Sequence, residues 1–170
     1  QALEGRDYTE FWGIESNPDI STLKKAIESG KEKNIDFLLA VGGGSVIDGT
    51  KLISAGIPYD GDAWELVKKG SAQNTIPLGT VLTIPATGSE MNNGAVISCR
   101  ETHEKYPFFS SHPVFSILDP TVTFSLPDYQ IACGLADTFV HVMEQYMTKT
   151  NESYLMDRWS AVSYTHLRAH

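Results

Sequence analysis

Cysteine is scarce: Cys99 and Cys133 are the only two among 170 residues. They cannot build a disulfide framework and form no C-x-x-C pair, so a reducing cytoplasm is the simplest compartment and both read as buried free thiols. Long apolar runs are also missing, and none approaches the length of a membrane span. Gln1 to Asp7 carries no signal-peptide pattern, and the lack of a methionine at position 1 points to a start further upstream. Basic residues are few. Thirteen Lys and Arg against 21 Asp and Glu leave a net charge of −8, and the lysines do not cluster. A nucleic-acid backbone needs a basic face, so DNA and RNA are excluded as main partners. Neither G-x-G-x-x-G nor G-K-[ST] occurs. What remains is an acidic chain, 41% apolar and 20% charged, an ordinary globular composition long enough for one domain or one and a half.

The chain is organised around Phe37 to Lys51. Phe37, Leu38, Leu39, Ala40 and Val41 follow Ile35 without interruption, which predicts a central parallel strand buried on both faces. Gly42, Gly43, Gly44 and Ser45 then break the run, and Val46, Ile47, Leu52 and Ile53 can share one helical face. Glycines between a strand and a helix permit unusual dihedrals and close approach, and the helix N-terminus offers unpaired N–H groups to an anion. A phosphate or pyrophosphate suits such a turn. A tight turn without a ligand gives the same pattern.

Around this centre the sequence predicts a β-α-β-α order. Tyr8 to Trp12 reads as a short strand ending at Gly13, and Asn17 as the cap of a helix with Pro18 in its first position and Ile20, Leu23 and Ile27 buried. Ile57 to Asn74 reads as a polar loop anchored by Trp64, Leu66 and Val67. Thr80 to Ile84 is a second strand ending in Pro85-Ala86-Thr87-Gly88-Ser89-Glu90. Two such loops at the carboxyl ends of parallel strands line one crevice. Thr83, Thr87 and Ser89 can offer hydroxyls to a phosphate or ribose there, although each also fits a turn or capping residue. Ala95 to Cys99 and Val114 to Leu118 read as further strands joined by a polar loop with His103, Lys105 and His112. Of these only Lys105 is a candidate, because a lysine near a cofactor crevice can meet a phosphate or ribose.

Beyond Leu126 the periodicity turns helical, which sets a domain boundary there. Pro127 and Asp128 open a helix with Ile131, Leu135, Phe139, Val142, Met143 and Tyr146 as its apolar pattern. Asp137 and His141, four apart, lie one above the other, and Glu144 follows on the same stripe. A carboxylate and an imidazole converging in this way make half of a four-ligand site for Fe²⁺ or Zn²⁺. The same spacing serves an ordinary ion pair on a solvated helix.

Taken together, Gly42-Gly43-Gly44-Ser45 with Asp48, Pro85 to Glu90, and Gly134-x-x-Asp137-x-x-x-His141-x-x-Glu144 resemble the iron-containing alcohol dehydrogenase family, in its NADPH-dependent aldehyde reductase or butanol dehydrogenase branch. The resemblance covers roughly Tyr8 to Arg158. It implies an α/β fold: a Rossmann-like parallel-sheet dinucleotide-binding domain over 1–126, incomplete at its N-terminus, then the first helices of an all-α metal-binding domain over 127–160. It implies Gly42, Gly43, Gly44 and Ser45 on the pyrophosphate with Asp48 nearby, Thr83, Thr87 and Ser89 along ribose and nicotinamide, Lys105 close to the cofactor, and Asp137 and His141 as two metal ligands through which catalysis runs. The activity implied is hydride transfer between NADP(H), favoured over NAD(H), and an aldehyde or primary alcohol, with Fe²⁺ or Zn²⁺ as metal and a homodimeric parent in the cytoplasm.

The resemblance fails at about Ala161. Residues 161–170 read as a non-native tail, translated from a sequencing adapter, so His166 and His170 are not recruited as ligands. The segments carrying the other two histidine ligands and the NAD-versus-NADP determinants are expected outside this chain, and the fragment alone is expected to be inactive. Two alternatives stand beside this reading: a Zn-dependent polyol or glycerol dehydrogenase of the same superfamily, and a non-catalytic nucleotide-binding module.

Overall fold

In the computed structural model, which describes residues 5, 7–148 and 153–168, the apolar run becomes strand β1 (Leu38–Gly42) and the glycines lead directly into helix α2 (Gly44–Gly56). Helix α1 (Ile20–Glu32) precedes them, and helix α3 (Ala63–Lys69) and strand β2 (Leu78–Leu82) follow. Strands β3 (Gly94–Cys99), β4 (Glu104–Phe109) and β5 (Phe115–Ile117) come next, then helices α4 (Asp128–Thr148) and α5 (Tyr154–Arg168). The chain divides into two compact units, one of Gln1–Thr83 with Thr87–Asp119, the other of Ile84–Ala86 with Pro120–His170. The helical unit therefore takes in the short 3-10 turn Pro120–Thr123 as well as the helices expected after Leu126.

In the first unit β1, β2 and β5 form the parallel sheet, in the order β1-β2-β5, with Ala40 opposite Thr80 and Thr80 opposite Ser116. Strands β3 and β4 form a separate antiparallel pair, Ala95 opposite Phe108. Helix α2 lies at the centre and is buried around almost its whole circumference. Helix α1 closes on it where α2 lacks side chains: a β-carbon on Gly49 would stand 2.8 Å from Leu23 Cδ2, and one on Gly56 2.4 Å from Ile27 Cδ1. Leu23 and Ile27 meet Leu52 and Ile53 there, and Leu66, Val67, Ile97 and Phe108 complete the core. In the second unit, Phe139 of α4 and Tyr164 of α5 bring their rings to 5.7 Å, and Gly134 packs on the Pro85 carbonyl, where a β-carbon would stand 3.4 Å from that oxygen. Helix α5 runs through Ala161, where the non-native tail was expected to begin.

Several expectations are corrected. Tyr8 to Trp12 forms no strand; Trp12 is 81% exposed and its indole N–H bonds locally to Glu10 at 2.9 Å. Asn17 does not cap α1. Pro18 and Asp19 are strapped beside β3, with Ser98 N–H on the Pro18 carbonyl at 3.0 Å, so the helix starts two residues later and Asp19 caps it. Strand β1 is buried on one face only: it lies at the edge of its sheet, with Ala40 buried and Leu39 and Val41 exposed. The expected loop Ile57 to Asn74 contains α3, capped by Asp62 and closed by Gly70 at φ 80°. The expected loop around Lys105 is strand β4, where Pro107 sits opposite Val96. Cys99 is buried, but Cys133 is exposed on α4.

Candidate functional site

Gly42 ends β1 and Gly43 caps α2, its carbonyl accepting from the N–H groups of Val46 and Ile47, both at 3.1 Å. The Gly44 and Ser45 amides precede these bonds, so the helix leaves them as donors pointing out of its first turn. The turn needs glycine for space, not for left-handed dihedrals: none of the three has positive φ. A β-carbon on Gly42 would stand 2.6 Å from Val46 Cγ2, and one on Gly44 would stand 2.3 Å from Thr87 Oγ1.

The sheet register places the second loop beside this turn. Thr83 N–H donates to the Gly42 carbonyl at 3.1 Å, extending the β1–β2 ladder by one bond. Thr87 remains exposed against Gly44, its hydroxyl accepting from Ser89 N–H at 3.3 Å. Lys105 reaches the same turn through Asn17: its ammonium donates to Asn17 Oδ1 at 2.7 Å, and Asn17 N–H donates to Ser45 Oγ at 3.2 Å. Asn17 adopts φ 56°, a left-handed conformation that asparagine tolerates, so the residue misread as a helix cap is the link between Lys105 and Ser45. The structure thus gathers Gly42, Gly43, Gly44, Ser45, Thr83, Thr87 and Lys105 about one strand-to-helix turn.

Asp48 and Ser89 point inward instead. Ser89 is 3% exposed and donates to Asp48 Oδ1 at 2.6 Å, while Asp48 Oδ2 accepts from Val96 N–H at 2.9 Å. Behind them lies a residue the sequence reading passed over. Lys51 is fully buried, and its ammonium reaches Ser89 O at 2.7 Å, Ser89 Oγ at 2.9 Å, Asn92 Oδ1 at 3.1 Å and Gly94 O at 2.6 Å. Burial lowers its pKa to about 8, against the opposing pull of the Asp48 and Glu90 carboxylates. The signal for it was a lysine set between Thr50 and Leu52 in an apolar helix, three residues after Asp48.

On α4, Asp137 Oδ1 stands 3.7 Å from His141 Nε2, with the two side chains 45% and 55% exposed. The apolar flanks therefore do not desolvate them. Among the described residues no group of three or more His, Cys, Asp or Glu side chains is placed to hold a metal ion. A carboxylate oxygen and an imidazole nitrogen on one helical turn suit a borderline divalent ion and fill two positions of its coordination sphere. Residue 170 lies outside the described residues.

Compared with known proteins, residues 1–120 match the family described as iron-containing alcohol dehydrogenase. The chain is 49% identical over 165 residues to the NADPH-dependent aldehyde reductase YqhD of Escherichia coli K12, covering 94% of this chain and 43% of that protein. It is 51% identical over 158 residues to a probable NADH-dependent butanol dehydrogenase 2 of Bacillus subtilis, covering 91% and 40%. The crystal structure of E. coli K-12 YqhD has a TM-score of 0.86 at 49% identity, over 94% of this chain and 42% of that one. The chain spans less than half the length of these relatives.

Proposed function

The chain belongs to the iron-containing alcohol dehydrogenase family, and from that premise we propose that its protein is a metal-dependent, NAD(P)-linked alcohol dehydrogenase working as an aldehyde reductase. The observation that carries the reading is the turn at Gly42 to Ser45, where helix amides, the Thr87 hydroxyl and the Lys105 ammonium converge from three segments. Such donors suit a dinucleotide's pyrophosphate, because a helix N-terminus and a lysine both favour an anion. Gly44 lets the Thr87 side chain come within contact of the turn, and Asn17 keeps Lys105 beside Ser45. Residues 1–126 serve as the dinucleotide-binding part and 127–160 as the start of the metal-binding part, where Asp137 and His141 supply two ligands. When bound, the metal would polarise the carbonyl oxygen while the nicotinamide supplies the hydride. NADPH is favoured, in line with the name of the E. coli relative, although the B. subtilis relative is named for NADH. A cytoplasmic homodimer is the assembly we expect, acting on a small aldehyde or alcohol. No helix among the described residues is long and apolar enough to cross a membrane.

The test is metal content and oxidation of NADPH and of NADH over an aldehyde panel, using the gene product that carries this chain and its Asp137→Ala, His141→Ala double variant. We expect about one metal ion per chain, faster oxidation of NADPH, and loss of metal with a rate loss of at least ~1000-fold in the variant. A variant that keeps both metal and rate makes Asp137 and His141 a surface ion pair and moves the metal site elsewhere in the protein, whereas a wild type that holds no metal and oxidises neither cofactor leaves only a nucleotide-binding module.

A further inference from the structure

Lys51 is the buried charged group that neither the turn nor the metal pair uses. Its side chain crosses from the middle of α2 to the segment after β2, reaching the 3-10 turn Ser89–Met91 and the first residue of β3. Four oxygens surround an ammonium that has three N–H groups: both oxygens of Ser89, Asn92 Oδ1 and Gly94 O. Asn92 Oδ1 accepts a second bond from Gly94 N–H at 2.9 Å, and Asn92 Nδ2 donates to Gly88 O at 3.0 Å, so the cage also fixes its own loop. The loop is held from the far side as well, by Ser116 Oγ donating to the Glu90 carbonyl at 2.6 Å. Two carboxylates face the ammonium: Asp48 on its own helix and Glu90 on the turn, the latter with a buried Oε2 that has no hydrogen-bond partner.

The position of this cage gives it a consequence at the turn. Ser89, which the lysine grips twice, is two residues from Thr87, and Thr87 occupies the space a Gly44 side chain would fill. The gap between Thr87 and the first turn of α2 is therefore set from within, by the distance from Lys51 Nζ to Ser89. A methionine would fill the same volume without burying a charge. What the ammonium adds is direction: it draws backbone carbonyls as well as side chains, and so fixes the path of the loop.

We infer that Lys51 is a positioning residue of the cofactor site, tying the Thr87–Gly94 loop to α2 so that Thr87 and the Gly44 and Ser45 amides hold one fixed spacing for the cofactor phosphates. This rests on the proposed dinucleotide function. The effect belongs to cofactor binding, and the carbonyl substrate feels little of it.

The experiment compares the gene product with Lys51→Met, with Ser89→Ala, which removes one wall of the cage and keeps the lysine, and with Val67→Ala, a core truncation in α3 that serves as a stability control. Amide hydrogen exchange over 87–94 and KM for NADPH and for the aldehyde are measured at a temperature where each variant is folded. In Lys51→Met we expect exchange over 87–94 to quicken at least ~10-fold and KM for NADPH to rise about tenfold, with aldehyde KM within about twofold. Ser89→Ala moves both readouts the same way, by about threefold, and Val67→Ala moves neither selectively. Unchanged exchange over 87–94, or cofactor and aldehyde KM rising together, overturns the role of Lys51 while leaving an active wild type. A wild type that neither binds nor oxidises NADPH overturns the dinucleotide reading on which the inference rests.

Discussion

Asp19 divides its two carboxylate oxygens between different elements. Oδ1 accepts from Ser21 N–H at 3.0 Å and caps α1, while Oδ2 accepts from Arg100 N–H at 2.8 Å, just past the end of β3. Burial alone would raise its pKa, but the Ser21 hydroxyl, the two backbone N–H groups and the Arg100 charge together lower it below the usual 3.8. Asparagine caps helices as well as aspartate does, so a cap-only role predicts that Asp19→Asn is silent. Here the amide would turn an NH₂ toward the Arg100 N–H, and we expect a loss of about 1–2 kcal/mol in urea unfolding at pH 7. A depressed carboxyl pKa stabilises the fold above the unfolded value and loses that contribution as pH falls through the folded one. The difference between wild type and variant should therefore be full above about pH 4 and shrink below it; a variant as stable as wild type at pH 7 refutes the double role. At this scale residue types were legible and directions were not. Asp48 and Ser89 were picked by type as cofactor residues, yet both face inward, because orientation depends on Lys51 and Val96, which lie far apart in sequence. Asn17 offered a cap by type, and the β3 strap that displaced it comes from a segment about 80 residues later.

At the level of elements, the α1–α2 contact separates two glycines that look alike in sequence. A β-carbon on Gly56 would stand 2.4 Å from Ile27 Cδ1 and 2.9 Å from Cγ1, and Ile27 is itself buried in the core. A β-carbon on Gly30 would meet Ile57 Cδ1 at 2.5 Å, but Ile57 is only partly buried and has room to swing outward. Helix propensity favours alanine at both sites by up to about 1 kcal/mol, and overpacking a fixed core costs about 1–3 kcal/mol. Gly56→Ala should therefore lower stability by about 1 kcal/mol, while Gly30→Ala is neutral or slightly stabilising. Equal shifts in denaturation midpoint would show that the two sites are not distinguished by the freedom of their neighbours. The helices with strong periodicity were legible: α1, α2 and α4 follow their apolar spacing, while the uninterrupted run of β1 gave the strand but not its single buried face. Helix α3 was missed although Asp62 and Glu65 at its start and Lys68, Lys69 and Gly70 at its end are helix signals, because seven residues carry too little periodicity to register. Strand β4 was missed because Pro107 breaks its pattern, and only the pairing with β3 shows that a proline is tolerated there.

Across the whole molecule, the two units differ in what holds them. The first has side chains that are wholly shielded, Leu23, Ile47, Leu52, Leu78, Ile97 and Phe108 among them, contributed by helices and strands far apart in sequence. In the second, the side chains of α4 and α5 are mostly exposed, with Ile131, Leu135 and Phe139 all more than a third exposed and Ser160 the buried one among the described side chains of α5. The parallel sheet was legible because strand patterns alternating with helical ones imply crossover connections between parallel strands. The exposure of α4 was not legible, since an apolar stripe states what a helix can bury and not whether anything covers it. Helices of 21 and 15 residues that bury so little rest largely on their own propensity, and such helices fray and reform readily in water. Hydrogen exchange on this 170-residue chain should therefore show the amides of α4 and α5 exchanging ~100-fold or more faster than those of α2 and β2. The contrast isolates packing from hydrogen bonding, because α2 and α4 are both helices and only α2 is enclosed. Equal protection in the two units would mean that they open together, and stability in this chain would then be a single cooperative property rather than one that follows each unit's own core.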